Sequence, residues 1–173
     1  MGIIADTKDW TWVLDRPCPE CGFAAAEVDF DDIPRLVREN AAGWLPVLGR
    51  TDVTERPNDY TWSPLEYAAH VRDVFRLFGV RLDLMLSQDD PAFPNWDQDA
   101  TAVTERYNDQ DPAVVARELA EAAASVADAF AAVPPERRGR AGRRSDGARF
   151  TVTTMGQYFV HDPVHHLHDV AGD

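Results

Sequence analysis

Histidine occurs at only two places in this 173-residue sequence. His70 stands alone, and His161, His165, His166 and His168 fall within eight residues near the C-terminus. Imidazole nitrogens are common ligands of transition metals, so the spacing is the first thing to test. Positions i and i+4 of a helix lie on one face a turn apart, close enough for two imidazoles to reach one ion. His161 and His165 have that spacing. With His70 from a second helix they would make a three-nitrogen site with an open position, the pattern of catalytic metal centres. His168 also returns to the face of His161, but three ligands from one helix would span about 10 Å of axis, so His70 ranks above it. His166 points about 100° away from His165 and reads as a supporting or surface residue. Pro163, between the favoured ligands, removes a backbone donor and should kink the helix there. Asp73, Asp162 and Asp169 are near in sequence. Asp169, four residues beyond His165, is the best placed to accept the outer N–H of a ligating imidazole; an exposed surface charge is the alternative. Any one of these histidines could equally be a hydrogen-bonded core residue.

Three other groups bear on chemistry. Cys18 and Cys21 have the spacing of half a zinc knuckle, and Pro19 and Gly22 suit such a tight turn. A structural zinc needs four ligands and there is no second cysteine pair. With the histidines assigned to the triad, the pair reads as a reduced turn, a redox dithiol or a shared metal ligand; no βαβ pattern surrounds it. Six arginines crowd the segment from Glu136 to Arg149, directly before the histidine helix. Arg143 and Arg144 are the candidates for holding an anionic group of a cofactor, against a solvated loop that balances an acidic surface. Trp96, Asp97 and Tyr107 sit in a long connection of the kind that lines or covers pockets.

The elements that must position these groups are legible in outline. Trp10, Trp12 and Leu14 alternate with polar residues and predict a short strand. Asp31 or Asp32 would cap a first helix carrying Ile33, Leu36, Val37, Ala41, Trp44, Leu45 and Leu48, with Pro46 late in it and Gly49 near its end. Ser63, Pro64 and Glu66 form a capping-box signature for a second helix running to about Leu86. A third, alanine-rich helix starts at Asp111-Pro112 and stops before Pro134-Pro135. The arginine-rich segment is read as outside the core, and Phe150 and Val152 as a short extended piece. Thr154, with Gln157 three residues on, would cap the histidine helix. The expected architecture is all-α: a four-helix bundle over residues 29–173 with a long second connection, and an N-terminal extended appendage over residues 1–28.

Thirty acidic against 17 basic residues leave a formal charge of −13, which disfavours nucleic-acid binding and attracts cations. With 45% hydrophobic and 27% charged residues the chain is neither disordered nor collagen-like. At this length about 70% of the unfolded surface is buried on folding, so a core forms without help from a metal. No apolar run approaches the ~20 residues of a membrane span, and the N-terminal residues show neither a signal peptide nor a myristoylation signal. The expected location is the cytoplasm; the expected partners are a small-molecule substrate and, in a homodimer, a second copy.

The stretch from Tyr60 to Asp73, Tyr-Thr-Trp-Ser-Pro-Leu-Glu-Tyr-Ala-Ala-His-Val-Arg-Asp, and the later His161-Asp162-Pro163-Val164-His165-His166-Leu167 resemble the DinB-like (YfiT-type) superfamily of metalloproteins. The resemblance spans roughly Asp29 to Val170. It implies a four-helix bundle with a divalent metal held by His70, His161 and His165; three imidazoles suit zinc or nickel best, with iron and manganese as alternatives. It also implies kinship with mycothiol-dependent maleylpyruvate isomerase and with S-transferases using mycothiol or bacillithiol. In these a low-molecular-weight thiol is activated as a thiolate at the metal. Thiol transfer or isomerisation is therefore the first expectation. Metal-dependent hydrolysis is the second and a non-catalytic metal-binding module the third; no catalytic residue is assigned.

Overall fold

Proline and short polar side chains set the helix starts. The computed structural model describes residues 9–171 and contains five α-helices among them. Helix α1 spans Ile33–Leu48, α2 Pro64–Ser87, α3 Gln98–Thr104, α4 Pro112–Ala131 and α5 Val152–Ala171. At α2 the Ser63 Oγ accepts from the Glu66 N–H at 3.2 Å while the Glu66 carboxylate accepts from the Ser63 N–H at 2.8 Å. This is the reciprocal cap that satisfies two otherwise orphaned donors. Asp111 caps α4 through the Ala113 N–H. Two expected caps move. Asp29, not Asp31 or Asp32, accepts from the Asp31 N–H, because a 3-10 turn, Phe30–Asp32, precedes α1. At α5 Thr151 takes the capping place and accepts from the Thr154 N–H, while Thr154 Oγ1 accepts from the Thr151 N–H.

Helices α1, α2, α4 and α5 form the bundle. α1 and α2 each pack against both α4 and α5 and so lie diagonally opposite. Gly156 allows α5 to approach closely: a Cβ there would stand 2.6 Å from Ile33 Cδ1 and 3.0 Å from the Phe130 ring. The core between them holds the Phe78–Phe159–Phe130 stack, with ring centroids 4.9 and 5.6 Å apart. Helix α5 runs on through Pro163, whose carbonyl accepts from Asn40 Nδ2 at 2.9 Å.

The long connection and the arginine-rich segment are more ordered than their sequences suggest. Ala92–Phe93 (β1) pairs in parallel with Ala141–Arg144 (β2), which pairs antiparallel with Arg149–Thr151 (β3). The connection also holds α3, capped by Asp97. The arginines are not a solvated loop. Arg140 donates to the carbonyls of Met85 and Gln88, and Arg137 to that of Leu86, so they cover the exposed acceptors at the C-terminal end of α2.

The N-terminal segment corrects the strand expectation. Thr11–Leu14 is a 3-10 turn, started by Asp9, whose carboxylate accepts from both the Thr11 N–H and its hydroxyl. Val13 is wholly buried, and the segment lies against α5. The residues used to exclude a leader or a lipid anchor fall outside the described region. No helix among the described residues is long and apolar enough to cross a membrane.

Candidate metal centre

Two adjoining clusters of ligating side chains gather along α5. In one, His70, Asp162 and His166 bring ligand atoms within 4.8 Å of one another; in the other, Cys18, Cys21, His161 and His165 do the same. The histidines expected to form one triad are thus divided. His161 and His165 share a cluster, and His70 faces the next pair round the helix. The i, i+4 rule holds for both pairs, 161 with 165 and 162 with 166, and a step of one residue turns the side chain about 100°.

The first cluster is built across two helices. The capped start of α2 sets its register and places His70 fully buried, with its ring stacked on Trp96 at 5.3 Å and tilted against Trp62 at 5.4 Å. His70 Nε2 is 3.0 Å from Asp162 Oδ1, and His166 Nε2 is 3.7 Å from the same oxygen. Burial alone would raise the Asp162 carboxyl pKa, but the adjoining His70 and His166 outweigh it and hold the group below the usual range. The outer nitrogen of His166, Nδ1, faces Asp169 Oδ2 at 3.1 Å. His70 Nδ1 is buried without a hydrogen-bond partner among the described residues.

The second cluster joins the N-terminal segment to α5. Cys18 Sγ is 3.6 Å from His165 Nδ1, and Cys21 Sγ is 3.7 Å from His161 Nε2. Neither cysteine is in a disulfide. Burial lowers the His161 pKa to about 4, helped by His165, and lowers that of His165 in turn; both rings are neutral near pH 7. Burial likewise pushes the Cys21 thiol up to about 11.

A cleft opens over both clusters, lined among others by Trp10, Arg81, Asn95, Trp96, Arg144 and Tyr158. About 720 Å³ of space lies between its walls, the open mouth included. Arg81 is buried, its Nε has no partner among the described residues, and Nη2 donates to the Pro94 carbonyl. Burial and the nearby Arg144 push its pKa down to about 10, so it remains a cation at neutral pH. Burial also disfavours the charge of Arg144, but Asp146 and Tyr158, both hydrogen-bonded to it, raise its pKa.

The expected site residues therefore scatter in instructive ways. Arg144 and Trp96 line the cleft, while Arg143 turns outward to Asp90 at 3.0 Å. Tyr107 is buried away from it, donating to Asp73 at 2.6 Å, and His168 is exposed. Asp169 faces the outer nitrogens of both His165 and His166. Sequence reasoning did not bring Asp162 and His166 together with His70, and did not mark Arg81 as a buried cation. The first had a visible signal, the second i, i+4 spacing within the histidine run; Arg81 had none.

Comparison with known proteins agrees with this frame. No curated protein matches the chain. The structure of YfiT from Bacillus subtilis, described as a probable metal-dependent hydrolase with an unusual four-helix bundle topology, superposes with a TM-score of 0.73 at 18% identity. The match covers 82% of this chain and 83% of that one. A family model for the DinB superfamily matches residues 35–170, which include all four bundle helices nearly entire together with His70, Asp162 and His166. The chain belongs to the DinB superfamily.

Proposed function

We propose that this chain is a divalent-metal-dependent enzyme acting on a small anionic substrate, with His70, Asp162 and His166 as the metal ligands and hydrolysis as the reaction. The observation that carries this is the convergence of two imidazoles and a carboxylate at a cleft whose wall holds buried Arg81, with no carboxylate partner among the described residues. The donor set fits the group. Two histidines and one carboxylate are the three-ligand pattern that leaves a position open, and they suit zinc and nickel as well as iron(II) or manganese. A divalent ion bound there supplies Lewis-acid activation of a water or thiol nucleophile near neutral pH.

The protein's own residues do the rest. Asp169 holds the His166 ring by its outer nitrogen, which fixes the tautomer and turns Nε2 toward Asp162. Trp62 and Trp96 pack on the His70 ring from two sides and exclude water from it. Arg81 and Arg144 offer guanidinium donors that would orient a carboxylate or phosphate of the substrate. The superposed Bacillus protein's description as a hydrolase supports the choice of reaction.

The test is turnover of small carboxylate- and phosphate-bearing esters and amides by the purified protein, with and without chelator. Activity is expected to fall with chelator, return with added zinc or nickel, and be lost in Asp162→Ala. Arg81→Met should raise KM for the anionic substrate with metal content unchanged. Hydrolysis that survives both chelation and Asp162→Ala would overturn the proposal. Turnover that appears only with an added low-molecular-weight thiol, mycothiol or bacillithiol, would replace hydrolysis with the transfer chemistry of the related thiol enzymes.

A further inference from the structure

The second cluster has the composition of a closed site rather than an open one. We infer that Cys18, Cys21, His161 and His165 form a structural zinc site, separate from the cleft centre, that fastens the N-terminal segment to α5. All four donor atoms lie within 4.8 Å of one another. Tetrahedral zinc, with bonds of about 2.3 Å to sulfur and about 2.0–2.1 Å to nitrogen, sets each sulfur–nitrogen edge at about 3.6 Å. The two observed edges are 3.6 and 3.7 Å.

The surroundings supply what such a site needs. Two thiolates and two neutral imidazoles balance the charge of the ion, so the ion with its four ligands adds no net charge to the protein interior. The outer nitrogen of His165 faces Glu20 Oε2 at 3.2 Å and Asp169 Oδ2 at 3.6 Å, the carboxylate contact that orients ligating histidines. The cysteines are presented by a tight turn. The Gly22 N–H donates to the Cys18 carbonyl at 2.8 Å, the Cys18 N–H to the Phe23 carbonyl at 3.0 Å, and Gly22 has φ +74°, which glycine adopts without strain. Trp10 closes the site from outside, its ring 5.7 Å from that of His161 and 5.3 Å from that of His165. Trp10 is also a wall of the cleft, so the clamp holds part of that wall in place. With four protein ligands no position is left for substrate, which makes the role structural.

Cobalt(II) titration of the full-length reduced protein tests this independently of the cleft. A thiolate-to-cobalt charge-transfer absorption with tetrahedral ligand-field bands is expected in the native chain and, undiminished, in Asp162→Ala/His166→Ala. Cys18→Ser/Cys21→Ser should lose the charge-transfer band. Should that variant fail to fold, alkylation of the native protein gives a second readout. Zinc loading is expected to slow modification of both cysteines by about tenfold or more, because a coordinated thiolate is a poor nucleophile, and chelator should restore it. Absence of the charge-transfer band from Asp162→Ala/His166→Ala, or equal alkylation rates with and without zinc, would overturn the inference.

Discussion

Asp169 Oδ2 lies 3.1 Å from His166 Nδ1 and 3.6 Å from His165 Nε2, so one carboxylate touches the outer nitrogens of a histidine from each cluster. Removing such a partner typically costs 10–100-fold in metal affinity. Asp169→Ala is therefore expected to weaken the proposed cleft centre by about that factor, and the cysteine site by less, since Glu20 also holds His165. Competition with a chelator, read separately for each site, measures it; equal affinities in the native and variant proteins would refute the role. The same stretch shows the limit of sequence at this scale. That α5 is the helix to search for metal ligands follows from its four histidines. Which pair faces His70 does not follow, because both pairs obey helical spacing and only the packing of α5 on α2 chooses between them. Asp162, weighed in the sequence only as a partner of a ligating imidazole, is one carboxylate among thirty acidic residues and carries no mark of its own.

The helices that hold these residues start and stop by means the sequence partly displays. Ser63-Pro64-Glu66 announces the N-terminus of α2, and the cap forms as expected. Ser63→Ala should lower unfolding stability by about 1 kcal/mol, seen as a reduced urea midpoint with unchanged slope; an unaltered midpoint would show the cap to be idle. The helix ends at Ser87, one residue past the expected Leu86; what covers its acceptors was not legible, since Arg137 and Arg140 come some fifty residues later. Arg140→Met uncovers the carbonyls of Met85 and Gln88 and is expected to cost about 1–2 kcal/mol, measured in the same way. The two-residue β1 escapes any periodicity test, because two residues cannot display alternation. The N-terminal alternation of Trp10, Trp12 and Leu14 misleads for a related reason. A local carboxylate cap at Asp9 tightens those residues into a 3-10 turn, and local hydrogen bonding wins over a pattern this short.

At the scale of the molecule, the bundle brings α2 and α5 together so that one face of α5 meets His70, while the N-terminal segment covers the neighbouring face with its cysteine turn. The four-helix frame was readable because capping residues and apolar stripes agree along α1, α2 and α4. The packing of the N-terminal segment was not, since its anchoring partners lie some 140 residues away. The central claim is that these two faces make two metal centres, not one. Anomalous diffraction at the zinc edge, from crystals of the zinc-loaded protein, decides this directly. Two peaks are predicted, one enclosed by Cys18, Cys21, His161 and His165 and the other by His70, Asp162 and His166. A single peak shared by His70, His161 and His165 would contradict it.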